Sequence, residues 1–180
     1  MNKRILIVLI ALLSLGCTKN DDKMKVHSSS LTWAHPAGWI EETPSPMRKA
    51  QYRLPKADGD SEDVTVAVFY FPGQGGSVEA NLDRWYGQFI QSDGRPTKET
   101  AKVVKNNVNG LQQTTVDVKG TYLESMRPMG GGATSKPNFR MLAGIVETTN
   151  GPWFVKLIGP TNSVEHWEES FETFMKSIKG

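Results

Sequence analysis

The sequence predicts an α+β domain: a single, mainly antiparallel β-sheet flanked by two amphipathic helices. Three observations predict it. Two pairs of apolar runs are joined by hairpin signals, Asn109-Gly110 and Asn150-Gly151-Pro152, and Asn-Gly tolerates the positive φ of a tight hairpin turn. One run, Asp63 to Phe71, is β-branched and aromatic on both faces, as a central strand is. Two segments, Val78 to Ile90 and Val164 to Ile178, place apolar residues on one face at helical spacing. Hairpins make neighbouring strands antiparallel, and a helix with one apolar face covers a sheet face.

In chain order, Leu31 to Ala34 reads as a short opening strand closed by Pro36 and Gly38, and Lys49 to Leu54 as a second strand stopped by Pro55. Asp63 to Phe71 follows. The turn from Pro72 to Ser77 is rich in glycine and leads into a helix. Such a turn can cradle phosphate on free backbone N–H groups. The P-loop lysine and the Rossmann glycine spacing are both missing, so a tight connection capped by Ser77 accounts for it. The first helix carries Val78, Leu82, Trp85, Tyr86 and Phe89 on one stripe.

Lys102 to Val108 and Leu111 to Lys119 form the first hairpin. In its second strand Thr114, Val116 and Val118 share one face, and Thr115, Asp117 and Lys119 share a wet one. Gly120 to Asn138 reads as a long connection containing Gly130-Gly131-Gly132. Loops beyond ~12–15 residues are uncommon and often functional. Tyr122, Met126, Arg127 and Met129 lie in it. Methionine and aromatic side chains beside a cation make an adaptable contact surface, so these four are the candidate binding residues. Arg140 to Thr149 and Trp153 to Ile158 form the second hairpin. The last helix has Val164, Trp167, Phe171, Phe174, Met175 and Ile178 on its apolar face, with Thr161 or Ser163 as the cap. Glutamates near its start and Lys176 and Lys179 near its end suit the helix dipole.

The N-terminus has its own anatomy. Lys3 and Arg4 precede an apolar run from Ile5 to Leu13, then Ser14, Leu15, Gly16 and Cys17, the single cysteine of the chain. A charged, then apolar, then small-residue order marks an export signal. The apolar run is well short of the ~18 residues a spanning helix needs. A lone thiol in an exported chain has no intramolecular disulfide partner. Residues 18–30 are polar and almost without large apolar groups, which reads as a flexible tether. The expected organisation is a signal at 1–16, Cys17 and a tether to 30, and one globular domain over 31–180.

The first seventeen residues resemble a bacterial lipoprotein signal. The resemblance implies cleavage before Cys17 and acylation of its thiol. Thr18, where inner-membrane retention wants Asp, implies sorting to the outer membrane, with the domain in the periplasm. Farther along, the runs Trp39 to Pro55, Asn81 to Phe89, Gly120 to Gly132 and Gly151 to Pro160 resemble a family of uncharacterised bacterial exported proteins, often lipoproteins, that carries no agreed catalytic residues. The element order is similar to the PsbP-type α/β/α sandwich, whose members mostly bind other proteins.

The remaining signals are mainly exclusions. The chain has 21 basic and 19 acidic residues, and removing Lys3 and Arg4 with the signal leaves it formally neutral. Nucleic-acid binding wants a clustered basic excess, so no nucleic acid is expected. His27, His35 and His166 are scattered; Glu165 and Glu169 near His166 supply no third ligand at metal-site spacing. The acidic run of Asp58, Asp60, Glu62 and Asp63 lacks the calcium-loop pattern. No Gly-x-Ser-x-Gly elbow occurs. The expectation is a lipid-anchored binding protein, not an enzyme, without metal or cofactor, whose partners are the membrane and an envelope protein. The alternative is an enzyme whose site is assembled from sequence-distant polar residues.

Overall fold

A computed structural model describes residues 30–125 and 132–180. The signal, Cys17, Met126, Arg127 and Met129 lie outside the described residues. The element order is β1 (Ile40–Glu42), β2 (Ala50–Leu54), β3 (Val64–Tyr70), α1 (Val78–Tyr86), β4 (Phe89–Ile90), α2 (Thr97–Thr100), β5 (Lys102–Val108), β6 (Leu111–Ser125), β7 (Ala133–Val146), β8 (Trp153–Pro160), α3 (Thr161–His166) and α4 (Glu168–Ser177). The strands form one eight-stranded sheet in the order β1-β2-β3-β8-β7-β6-β4, with β5 also on β6. Every strand pair is antiparallel.

The antiparallel sheet is as expected, but it dominates the domain. Two flanking helices give way to four short ones among the described residues. The helix expected over 78–90 stops at Tyr86, where the Gly87 N–H bonds back to the Asp83 carbonyl. Phe89 and Ile90 then extend and pair with Tyr122 and Thr121. The helix expected over 164–178 starts earlier, at Thr161, and breaks at Trp167, whose backbone sits at φ −97°, ψ 3°. Its start is capped from afar. Neither Thr161 nor Ser163 acts as N-cap; the Asp60 carboxylate accepts the Ser163 N–H instead. Leu31 to Ala34 makes only an isolated bridge, Thr32 to Lys179.

The largest correction concerns residues 120–138. The described residues 121–125 and 133–138 are strand, not loop. β6 and β7 run on as a hairpin of 15- and 14-residue strands. Gly120 pairs Phe139 and Tyr122 pairs Lys136, so Thr121 faces both Pro137 and Asn138. That extra residue is a β-bulge, with Asn138 at φ 57°. Proline is tolerated in a strand at a bulge, where its missing N–H breaks no ladder bond.

Alternation along the strands builds two apolar layers. On one face Val64, Val66 and Val68 of β3, Leu142 and Val146 of β7, and Val155 and Leu157 of β8 meet Val164, Phe171, Phe174 and Ile178. Gly144 belongs to this face because Met175 fills its place: an added Cβ would lie 2.3 Å from Met175 Cε. On the other face Val116, Val118, Met141, Ile145 and Phe154 meet Leu82, Trp85, Tyr86 and Phe89. Thr114, Val116 and Val118 are buried while Lys119 is exposed, so the two-faced reading of β6 holds.

Candidate functional site

Where α1 ends determines what the sheet leaves open. The helix and β4 cover the β6–β7 side of their face. Beyond them Thr65, Ala67 and Phe69 of β3, Lys156 and Ile158 of β8, and Tyr122 of β6 line a groove open to solvent. It consists of two hollows that share Phe69 and Lys156. One, about 250 Å³, lies against α1 between Phe71, Arg84, Trp85 and Phe154. The other, about 210 Å³, lies under the β6–β7 hairpin, with Lys136, Phe139, Glu62 and Glu124 along it. Rings line both. Phe69 and Phe71 stack at 6.3 Å and 17°, and Tyr122 and Phe139 stack at 6.0 Å and 14°.

The cations divide into two kinds. Lys136 bonds Glu62 at 2.8 Å and Glu124 at 3.0 Å. Burial works against its charge, and these two carboxylates outweigh burial, so its pKa is raised. Lys156, Arg48 and Arg84 have neutral partners. The Lys156 amine donates to Gln88 Oε1 at 2.6 Å and sits 5.1 Å from the centre of the Tyr122 ring. Arg48 donates to Gln51 Oε1 and lies 5.7 Å over the Phe69 ring. Arg84 donates to Asn81 Oδ1. Among the described residues no carboxylate is within ion-pair distance of these three cations. Burial first, and then the positive fields of Arg84 and Arg48, push the Lys156 amine down to about 8, with Glu124 opposing weakly.

That shift has a sign. The folded amine has a lower pKa than the 10.5 of an exposed lysine. Between the two values the unfolded chain binds more protons, so stability rises with pH there. Below the folded value the full cost of the buried charge is present. Lys156→Met is therefore expected to stabilise the fold by ~2–3 kcal/mol at neutral pH. The gain should shrink above pH 8 and vanish past 10.5. Urea unfolding of both proteins across that range checks it; a pH-independent gain would mean that packing, not charge, causes it.

The structure brings Tyr122 into the groove, beside Lys136 and Lys156. Its hydroxyl pKa is raised, by burial first and then by Glu124. The groove's central residue, Lys156, was missed. It sits in a strand among the buried residues Phe154, Val155 and Leu157. A charged residue in such a run was the signal that could have found it.

Several other singled-out residues have structural partners. Ser77 Oγ accepts the Ala80 N–H and caps α1, as expected. Asn81 ties that turn down by donating to the Gly75 and Ser77 carbonyls. In the acidic run, Asp60 caps α3, Asp63 pairs Arg53 at 2.9 Å, and Glu62 holds Lys136. His166 is exposed and packs edge-on against Trp167. No cluster of three metal-type ligands occurs among the described residues, and none of their helices is long and apolar enough to cross a membrane. A separate hollow of about 400 Å³ lies between β5 and α4, with Val104, Gln113, Phe171 and Met175 along it. At its end Asp117 and Glu168 are both committed to Arg140.

No protein-family model matches the chain, and no curated protein sequence matches it. Solved structures do. A Pseudomonas aeruginosa protein of unknown function aligns with 82% of this chain and 94% of its own, at 14% identity and a TM-score of 0.48. The cyanobacterial PsbP protein of Synechocystis sp. PCC 6803, CyanoP, aligns with 86% of this chain and 94% of its own, at 13% identity and a TM-score of 0.45.

Proposed function

We propose that this chain is a lipid-anchored, periplasm-facing binding protein of the bacterial envelope, not an enzyme, and that the open groove on the α1 face of the sheet is its binding surface. One observation carries the binding part. α1 stops short, and the sheet face it leaves bare is lined with aromatic rings and half-buried cations instead of an all-polar coat. Concave, mostly apolar surfaces with a few convergent polar groups are where ligands bind. The anchor part rests on the order of residues 1–17 and the single cysteine. Tyr122 ties the two halves of the sequence reading together, since the β6–β7 hairpin forms one wall of the groove. The finer fold reading, a PsbP-type sandwich of exported-protein kind, rests on the element order and on helices packed against both sheet faces.

Two measurements test it. Mass spectrometry of the native protein is expected to find Cys17 as an acylated first residue; several acyl chains give stable attachment where one does not. An unmodified Cys17 would remove the anchor. Cross-linked capture from the native membrane, with wild type and with Phe69→Ala, is expected to lose its specific ligand or partner in the variant. Equal recovery would place binding elsewhere.

Lys156 also favours a second reading, an enzyme assembled from distant residues. A desolvated amine near cations is a nucleophile toward carbonyl groups. Borohydride trapping of a carbonyl compound on Lys156, but not on the other lysines, would support that reading over binding alone.

A further inference from the structure

We infer that the hollow between α1 and β8 binds a small organic anion: a carboxylate or phosphate on an apolar or aromatic body. Lys156 and Arg84 hold the acid group, and Phe69, Phe71 and Phe154 hold the body. This rests on the groove being the binding surface and adds the ligand's chemistry.

The lining of that hollow is the first ground. Phe69, Phe71, Trp85, Phe154 and the neutral Gln88 surround two cations, and no carboxylate lines it. Its volume is about 250 Å³; a cavity of ~150 Å³ already takes a benzene ring. One ring with one acid group therefore fits.

Unused donors are the second ground. The Lys156 ammonium carries three N–H groups and gives one to Gln88. The Arg84 guanidinium carries five and gives one, through Nη2, to Asn81. Arg84 reaches open solvent, but Lys156 is half-buried among aromatic residues, and a desolvated charge without a counter-charge is unfavourable. Elsewhere this fold supplies the counter-charge: Lys136 has two carboxylates, and so has Arg140. At Lys156 the place is left for an anion from outside. Charge-assisted hydrogen bonds of this kind are the strong ones.

The acids of the groove give the ligand a direction. Glu62 and Glu124 lie at the hairpin end, on either side of Lys136. Arg48 stands over Phe69, where the hollows meet. The potential is thus positive toward α1 and falls toward the hairpin, so the acid group points at Lys156 and Arg84 and away from the glutamates. The charged and polar groups around the Lys156 amine are Arg84 and Gln88 from α1 and its end, Arg48 from before β2, Glu62 and Asp63 from before β3, Tyr122 and Glu124 from β6, and Lys136 from β7. The Lys156 amine loses its charge near pH 8, so affinity should fall as the pH rises through that value.

Titration calorimetry of the full chain in a non-ionic detergent tests this, with phenyl phosphate, inorganic phosphate and benzyl alcohol as probes. Phenyl phosphate is expected to bind ~10-fold or more tightly than either of the others, because each lacks one half of the recognition. Lys156→Met and Arg84→Gln should each weaken it by ~10-fold or more without lowering the melting temperature. The fall above pH 8 should be absent in Lys156→Met. Monomeric dihexanoyl-phosphatidylglycerol against dihexanoyl-phosphatidylcholine separates the sources. Competition by the former alone assigns a lipid headgroup; competition by neither, with phenyl phosphate bound, assigns a free small anion. Equal affinity for benzyl alcohol and phenyl phosphate, or affinity unchanged in both variants, overturns the inference. If no anion binds while Phe69→Ala still loses its captured partner, the ligand chemistry falls and the groove reading stands. If phenyl phosphate binds as stated while capture ignores Phe69→Ala, the anion site stands and that reading falls.

Discussion

Trp85→Ala and Phe171→Ala are each expected to lower the unfolding free energy by ~3–5 kcal/mol, as large aromatic-to-alanine changes in cores do. Both side chains are 3% exposed. Trp85 meets Phe154 edge-to-face at 6.2 Å and 85°, in the layer under α1. Phe171 lies in the opposite layer with Phe174 and Met175. The sheet separates the two, and changes that share no partners usually add within ~0.5 kcal/mol. The double variant should therefore lose ~6–10 kcal/mol, as much as the whole stability of many domains. Denaturant titration of the singles and circular dichroism of the double check this. A folded double variant would mean that one layer collapses to fill its cavity.

The second large effect concerns Arg140. Its side chain is 4% exposed on the central strand β7. It donates to Asp117 through Nε and Nη2, each at 2.9 Å, and to Glu168 through Nη1 at 2.7 Å and Nη2 at 2.8 Å. Burial opposes the charge, and the bonds it donates to Asp117 and Glu168 outweigh burial, so the guanidinium's pKa is raised. The clamp joins β6, β7 and the first turn of α4. Arg140→Met is expected to cost ~3–5 kcal/mol, because two carboxylates then face each other with no cation between them. Adding Asp117→Asn and Glu168→Gln should recover much of the loss, since replacing a whole buried triad is often neutral. No recovery in the triple variant would show that the Arg140 stem, not its charge, holds α4 to the sheet.

Particular residues show which parts of this fold were legible in the chain. Asn109 and Gly110 take φ of 53° and 81°, as a tight hairpin turn between antiparallel strands requires. Ser77 caps α1, and the apolar stripes of both helical segments are buried. These features are local: each depends on residues within one turn or one strand. The β6–β7 hairpin was misread because its cues conflict. Gly120 and Pro137 both signal a loop, yet partners on both sides overrule them. β4 and β7 pair the β6 stretch, and a bulge absorbs Pro137. Propensity yields to tertiary pairing in this way most easily in strands. The division of the last helix at Trp167 was equally hidden, since its stripe continues across the break. The Trp167 indole donates to the Pro55 carbonyl, far away in sequence.

For the candidate site the balance is different. Tyr122 was named from composition, and it does stand in the groove. Lys156 was not named, and no spacing rule would have named it. Its partners Gln88, Arg48 and Arg84 come from other elements, and its low pKa exists only because folding removes water around it. The sequence alone determined the strand and helix periodicities, the hairpin turns, the two-faced strands and the export-like N-terminus, because nearest-neighbour sterics and side-chain polarity write these along the chain. The tertiary structure alone decided that α1 ends before it covers its sheet face, that β4 turns aside to pair β6, and that three cations meet among aromatic rings with no carboxylate of the described residues within ion-pair distance. Those outcomes depend on which distant segments win the competition for the same edge and the same face, and that competition is resolved only when the whole sheet has formed.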